Sequence, residues 1–123
     1  MTPDEFREDL QRCRDILDPI TGTKTTCFRA PSFSITAKSL WAFNILIEEG
    51  FTLDSSVFPV YHDRYGIPDA ETAPHRISMQ SGTINELPMS VHRMLGLNVP
   101  CSGGGYFRLY PSWLSQYLVS RIN

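Results

Sequence analysis

The sequence predicts an α/β fold. The order of its hydrophobic periodicities reads helix, strand, helix, strand, hairpin, helix. The stretches read as strands are short, β-branched or aromatic, and bounded by turn residues. Arg29, Asp54 and Glu86 each fall at or near the C-terminal end of a predicted strand. In βα barrels and open α/β sheets that edge gathers ligands and catalytic groups.

Thr2-Pro3-Asp4-Glu5 opens the first helix, with Thr2 as cap, Pro3 at the first helical position and Glu5 completing a capping box. Phe6, Leu10, Cys13 and Leu17 recur at helical spacing and define a buried face, and Asp18-Pro19 is expected to end the helix. Residues 25–28 read as a short buried strand running into Arg29-Ala30-Pro31. A second helix is predicted over residues 37–49, capped near Ser34 or Thr36, with Leu40, Trp41, Ile45, Leu46 and Ile47 inward and Gly50 at its end. Residues 51–53 form the next strand, before Asp54-Ser55-Ser56. From Pro59 to His75 the chain is irregular, and its rings Tyr61, His62, Tyr65 and His75 favour an ordered loop. Residues 76–80 and 83–87 flank Ser81-Gly82 as a hairpin. A glycine-rich loop over residues 100–105 precedes a last helix opened by Pro111, with Trp113, Leu114, Tyr117 and Leu118 as its apolar face.

At 123 residues the chain suffices for one small domain, and 41% hydrophobic residues is an ordinary globular share. A net charge of −2 with interspersed signs offers no field for a nucleic acid backbone. Cys13, Cys27 and Cys101 are odd in number and widely spaced, so reduced, buried thiols are expected rather than a disulfide framework. No apolar run has the length of a transmembrane helix. The acidic start MTPDEFREDL lacks the pattern of a secretory leader, and the expected location is cytoplasmic or cell-associated.

Several constellations carry chemistry, and each has an ordinary alternative. In Arg29-Ala30-Pro31-Ser32-Phe33 the proline makes a rigid turn, which suits Arg29 to fork a carboxylate; the alternative is a surface arginine. Asp54-Ser55-Ser56 is by itself best read as a turn or cap. His62-Asp63-Arg64-Tyr65-Gly66 reads equally as a substrate-contacting loop or as an ordered loop whose polar groups satisfy one another. Glu86, between apolar neighbours, is either a half-buried carboxylate with a partner or one on an exposed strand face. Gly103-Gly104-Gly105-Tyr106-Phe107-Arg108 lacks the Gly-Lys-Ser/Thr of a phosphate loop and suits close backbone approach to a sugar or a tight turn. His62, His75 and His92 stand too far apart for a His-x-x-x-His pair, so no metal site is expected within the chain, and no nucleophile elbow is present.

Taken in order from about residue 6 onward, these segments resemble the polysaccharide deacetylase family of the NodB homology type, in its branch associated with exopolysaccharide and exosortase clusters. The resemblance is carried by the segment from Phe28 to Ile35, Trp41-Ala42, Gly50-Phe51, Asp54-Ser55-Ser56-Val57-Phe58-Pro59, the run from His62 to Pro68, Glu86-Leu87-Pro88 and the segment from Gly103 to Arg108. It implies a partial, distorted (β/α) barrel truncated at both ends. It also implies a divalent metal, often zinc, that activates water for attack on an N-acetyl carbonyl, with a base, a late general-acid histidine and an oxyanion site. The family's paired aspartates, its His-x-x-x-His segment and its late histidine have no counterpart here. By resemblance Arg29 tethers the absent base, the backbone around Ser32 contributes to the oxyanion site, and Glu86 stands where an acid tunes the late histidine. Pro31, Ser32, Phe33, Asp54, His62, Asp63, Tyr65 and Tyr106 are assigned to substrate contact.

The expected function is therefore a fragment of a metal-dependent polysaccharide N-deacetylase, inactive alone, acting with an N-acetylated polysaccharide and binding no metal itself. A non-catalytic glycan-binding module of the same fold is the alternative. A third reading, an unrelated α/β interaction domain, would leave Arg29 and Glu86 in solvent without partners. A complete βα barrel takes about 250 residues, so half of one leaves strand edges and apolar faces uncovered. The chain is expected to self-associate or to be marginally stable, and a monodisperse, strongly stable monomer in light scattering and thermal melts would contradict that.

Overall fold

In the computed structural model, which describes residues 1–62, 65–94, 96–101 and 104–122, helix α1 (Pro3–Thr21) begins as its sequence dictates. The Thr2 hydroxyl accepts from the Glu5 N–H at 3.3 Å, and the Glu5 carboxylate accepts from the Thr2 N–H at 2.6 Å. The helix does not stop at Asp18: it runs through Pro19 to Thr21. A proline forfeits one bond to the carbonyl four residues back, here that of Asp15, an exposed residue whose carbonyl solvent can serve. Gly22, at φ +66°, makes the true C-cap, its N–H donating to the Asp18 carbonyl at 2.9 Å. The Asp18 carboxylate instead accepts from the Thr25 N–H and hydroxyl, which ties the helix end to the strand that follows.

Strands β1 (Cys27–Phe28), β2 (Leu53–Asp54), β3 (His75–Met79) and β4 (Gly82–Glu86) form one open sheet in the order β1-β2-β4-β3. The α/β class stands in this form. β1, β2 and β4 are parallel, and β3 returns antiparallel against β4. Helix α2 (Trp41–Glu48) connects β1 to β2 and starts later than its periodicity suggests. The reason is Ser39, whose hydroxyl accepts from the Thr36 N–H and donates to the Ser34 carbonyl, holding residues 34–39 in a turn. The β3–β4 turn is Gln80-Ser81, with Met79 opposite Gly82, one residue earlier than expected.

The core lies between this sheet and the helices, with Leu10, Ala42, Phe43, Ile45, Leu46, Phe51, Val57 and Ile84 among its buried members. Phe6 on α1 packs edge-on against Phe28 and Trp41. Arg7 on α1 donates to Glu48 and Glu49 at the end of α2, and Glu48 also accepts from the Ser81 hydroxyl. Further along α1 the face turned to the body of the protein is carried by Arg14 and Asp18, both bonded to Thr25, while Cys13 and Leu17, expected inside, are exposed. Cys27 is exposed as well, and of the three free thiols Cys101 alone is buried.

Beyond β4 the chain makes a second hairpin, β5 (Val91–Met94) and β6 (Leu97–Pro100), which the sequence did not announce. A short helix α3 (Gly104–Leu109) occupies part of the expected glycine loop, and α4 (Ser112–Ser120) follows, with Pro111 at its N-cap. Leu118 is buried and Leu114 half-buried, whereas Trp113 and Tyr117 face outward.

The loop between β2 and β3 is held closed where the Ile67 N–H meets the Phe58 carbonyl at 2.9 Å. Gly66, at φ +94°, makes this possible, since a Cβ there would sit 2.3 Å from the Val60 carbonyl oxygen. Gly66→Ala is expected to lower the unfolding free energy by about 2–3 kcal/mol, measured by urea denaturation.

Candidate functional site

The three parallel strands finish abreast, with Phe28, Asp54 and Glu86 in register and His75 of β3 opposite Glu86. Arg29 is the first residue past β1. Its Nε donates to the Ser55 carbonyl at 3.2 Å and its Nη2 to the Ser55 hydroxyl at 2.8 Å. That hydroxyl donates onward to the Leu87 carbonyl at 2.7 Å, so one arginine links the exits of β1, β2 and β4. Among the described residues Arg29 has no ion pair; its fork closes on neutral Ser55, while both nearby carboxylates turn inward.

Those carboxylates lie beneath the rim. Asp54 is 0% exposed and Glu86 1%. Asp54 accepts from the Ser56 N–H at 2.8 Å and from the Ser56 hydroxyl at 2.7 Å, an Asx turn of the ordinary kind. The Ser56 hydroxyl in turn accepts from the Ala30 N–H at 2.8 Å. Glu86 accepts from the Val57 N–H at 3.1 Å through Oε1, while its buried Oε2 receives no donor. Burial pushes the Glu86 carboxyl up to about 9, reinforced by a hydrogen bond to Asp54 and by that residue's charge; the Val57 N–H and Arg29 pull weakly the other way. The upward shift favours the neutral acid form of Glu86 at neutral pH. Asp54, assigned from the sequence to substrate contact, and Glu86, assigned to catalysis, are thus placed below the surface, where they hold the backbone that follows β2. Arg29 and Glu86 both have hydrogen-bond partners.

The turn above them is strained. Ser32 and Phe33 sit at φ 55° and 52°, a left-handed backbone that costs roughly 1–3 kcal/mol each outside glycine. Phe33 is fixed by packing against Phe58 and Tyr65, at 5.1 and 6.2 Å between ring centroids. Tyr65 also stacks on Phe58 and on His62, the latter at 3.8 Å and 10°. Its hydroxyl lies 3.0 Å from that of Tyr106, whose own hydroxyl is pushed up to about 12, chiefly by burial and then by this bond. Phe33, His62, Tyr65 and Tyr106 thus form one aromatic cluster, with exposed Pro31 and Ser32 on the same turn as Phe33. Asp63, assigned with them, lies outside the described residues. Ser55 and Ser56, the links between rim and buried acids, were read from the sequence as part of the turn or cap after Asp54 and were given no site role of their own.

Along the outer, unpaired side of β1 runs a groove of about 670 Å³, lined chiefly by apolar side chains including Phe6, Leu10, Phe28, Ile35, Trp41 and Phe51. Among the described residues no group of three or more His, Cys, Asp or Glu side chains is placed to hold a metal ion. No helix among them is long and apolar enough to cross a membrane.

Because folded Glu86 holds its proton from about 4.5 up to about 9, the unfolded chain binds fewer protons across that window. The stability this group contributes is complete below the lower value, declines as pH rises, and is gone above the upper one. Glu86→Gln is expected to remove this decline. Thermal melts from pH 5 to 9.5 check it, and parallel profiles for the two proteins would contradict the upward shift of Glu86.

Comparison with curated proteins and with solved structures finds no match to either. Residues 55–123 match a family described as Domain of unknown function (DUF3473), a match that starts inside the Asp54-Ser55-Ser56 turn and takes in the aromatic loop, β3 to β6 and both C-terminal helices. It spans more than half of the 123 residues, and the chain belongs to the DUF3473 family.

Proposed function

We propose that this chain is the central part of a metal-dependent polysaccharide N-deacetylase, inactive by itself, whose reaction is hydrolysis of N-acetyl groups on a bacterial cell-surface or exopolysaccharide sugar. The observation that carries the reading is Arg29. It stands at the rim where three parallel strands end, holds only neutral groups, and adjoins a strained turn. A guanidinium in that position suits a carboxylate delivered by another stretch of polypeptide. The association of DUF3473 domains with polysaccharide deacetylase-like proteins supports the same reading.

In this scheme Arg29 orients the carboxylate that takes a proton from attacking water. The backbone N–H of Ser32, in the turn that follows Pro31, would donate to the oxyanion that forms on the acetyl carbonyl. The aromatic cluster of Phe33, His62, Tyr65 and Tyr106 receives the sugar, with Asp63 on the same loop. The described residues do not supply a metal site, so the ion belongs to segments beyond them, and no step of this chain's chemistry runs through it. The parallel strands would be one arc of a distorted (β/α) barrel, and the open edge of β1 with its apolar groove is where further strands and helices would join, or where copies of the chain would meet. The reading places the protein in the cytoplasm or associated with the cell.

A glycan-binding module without catalysis is the second reading, favoured by the aromatic cluster and by Tyr61, which is almost wholly exposed. The test joins the chain to a polypeptide segment that carries paired aspartates and a His-x-x-x-His pair, and follows acetate release from an N-acetylated polysaccharide. Arg29→Ala in that protein is expected to lower kcat/KM by about 100-fold or more, with Arg29→Lys intermediate. Binding without acetate release would favour the module, and full activity of Arg29→Ala would sink the enzyme reading.

A further inference from the structure

We infer that Ser56 is the positioning residue of the Arg29–Phe33 turn, and that it couples the turn to the buried pair of acids, Asp54 and Glu86. The functional weight of the turn rests on the deacetylase reading; the coupling itself rests on geometry. Ser56 is fully buried. Its hydroxyl has one proton and two lone pairs. The proton goes to Asp54 at 2.7 Å, which leaves the oxygen free to accept from the Ala30 N–H at 2.8 Å. The sense of this relay is fixed as long as Asp54 accepts.

Ala30 is the strategic point. It follows Arg29 and precedes Pro31, which has no N–H. The bonds further along, from the Phe33 N–H to the Ala30 carbonyl and from the Ser34 N–H to the Pro31 carbonyl, stay inside the turn. The Ala30 N–H is therefore the last backbone donor tying the strained residues to the sheet. On the far side of the relay, Glu86 holds the Val57 N–H, so the acid pair clamps the segment after β2 at both Ser56 and Val57.

Ionisation of both Asp54 and Glu86 would set two buried carboxylates on neighbouring strands against each other. The surrounding groups offer little relief. Arg29 is already committed to Ser55, and the His75 ring, in register beside Glu86, has its Nδ1 2.9 Å from the Ala73 carbonyl. Glu48 of α2 is engaged by Arg7 and Ser81. Separation of the pair would draw Asp54 off Ser56 and release Ala30.

The test is nuclear magnetic resonance on the intact chain. The Ala30 amide resonance is expected to shift with a midpoint near 9 in the wild type and to stay still in Glu86→Gln. At fixed neutral pH, Ser56→Ala should speed hydrogen exchange of the Ala30 N–H by about tenfold or more, and Ser56→Thr, which keeps the hydroxyl, by no more than about threefold. An Ala30 amide that ignores the titration, or that exchanges as slowly in Ser56→Ala as in the wild type, would overturn the coupling. If Ser56→Ala does not fold, the titration of wild type against Glu86→Gln decides alone. Absence of acetate release from the joined protein would defeat the deacetylase reading while leaving these amide signals intact.

Discussion

The burial of two acids side by side, Asp54 and Glu86 on neighbouring parallel strands, is the constraint on which the rim of this molecule depends. Two buried carboxyl groups on neighbouring parallel strands disfavour a charge on both. Around the pair, Ser56 donates to Asp54, the Ala30 N–H to Ser56 and the Val57 N–H to Glu86. A buried network of this kind specifies geometry because any missing member leaves a neighbour unsatisfied. Buried Ser55 and exposed Arg29 form the layer above it.

The layer division explains how a strained turn survives. Left-handed Ser32 and Phe33 are disfavoured locally and persist because the structure on either side fixes them. On the sheet side the fixing is polar, through Ala30 and Ser56. On the loop side it is apolar, through Phe33 against Phe58 and Tyr65. The turn thus bridges two small cores, one between sheet and helices and one around the aromatic loop. The groove beside β1 opens onto the first of these cores, being lined by Leu10, Ile35, Ala42 and Phe51, and with the open edge of β1 it is where this architecture has surface left to cover.

Much of the local structure was legible. The capping box of Thr2 and Glu5, the α2 core face and the β3–β4 hairpin follow from residue types that act within a few positions of themselves. So does the placing of Arg29, Asp54 and Glu86 at strand ends. What failed depended on context. Pro19 reads as a stop because it breaks a bond, yet in a last turn that bond is cheap to lose. Cys13 and Leu17 have the right period for burial, but further along α1 the face turned to the body of the protein is carried by Arg14 and Asp18. The β5–β6 hairpin lacks alternation because neither of its faces is buried deeply.

The sequence by itself determined the α/β class, the order of most elements and which residues would arrive at the exit edge of the sheet, since periodicity and turn chemistry are written within a short span of chain. Only the tertiary structure decided which of those residues face outward and which are sealed below. That Arg29 would close on Ser55, that Glu86 would keep its proton, and that Ser56 would join Asp54 to Ala30 depends on strands 26 or more residues apart coming into register. Burial and mutual distance fix the charge state of a carboxyl, and both are properties of the folded assembly, with no trace in the neighbouring letters.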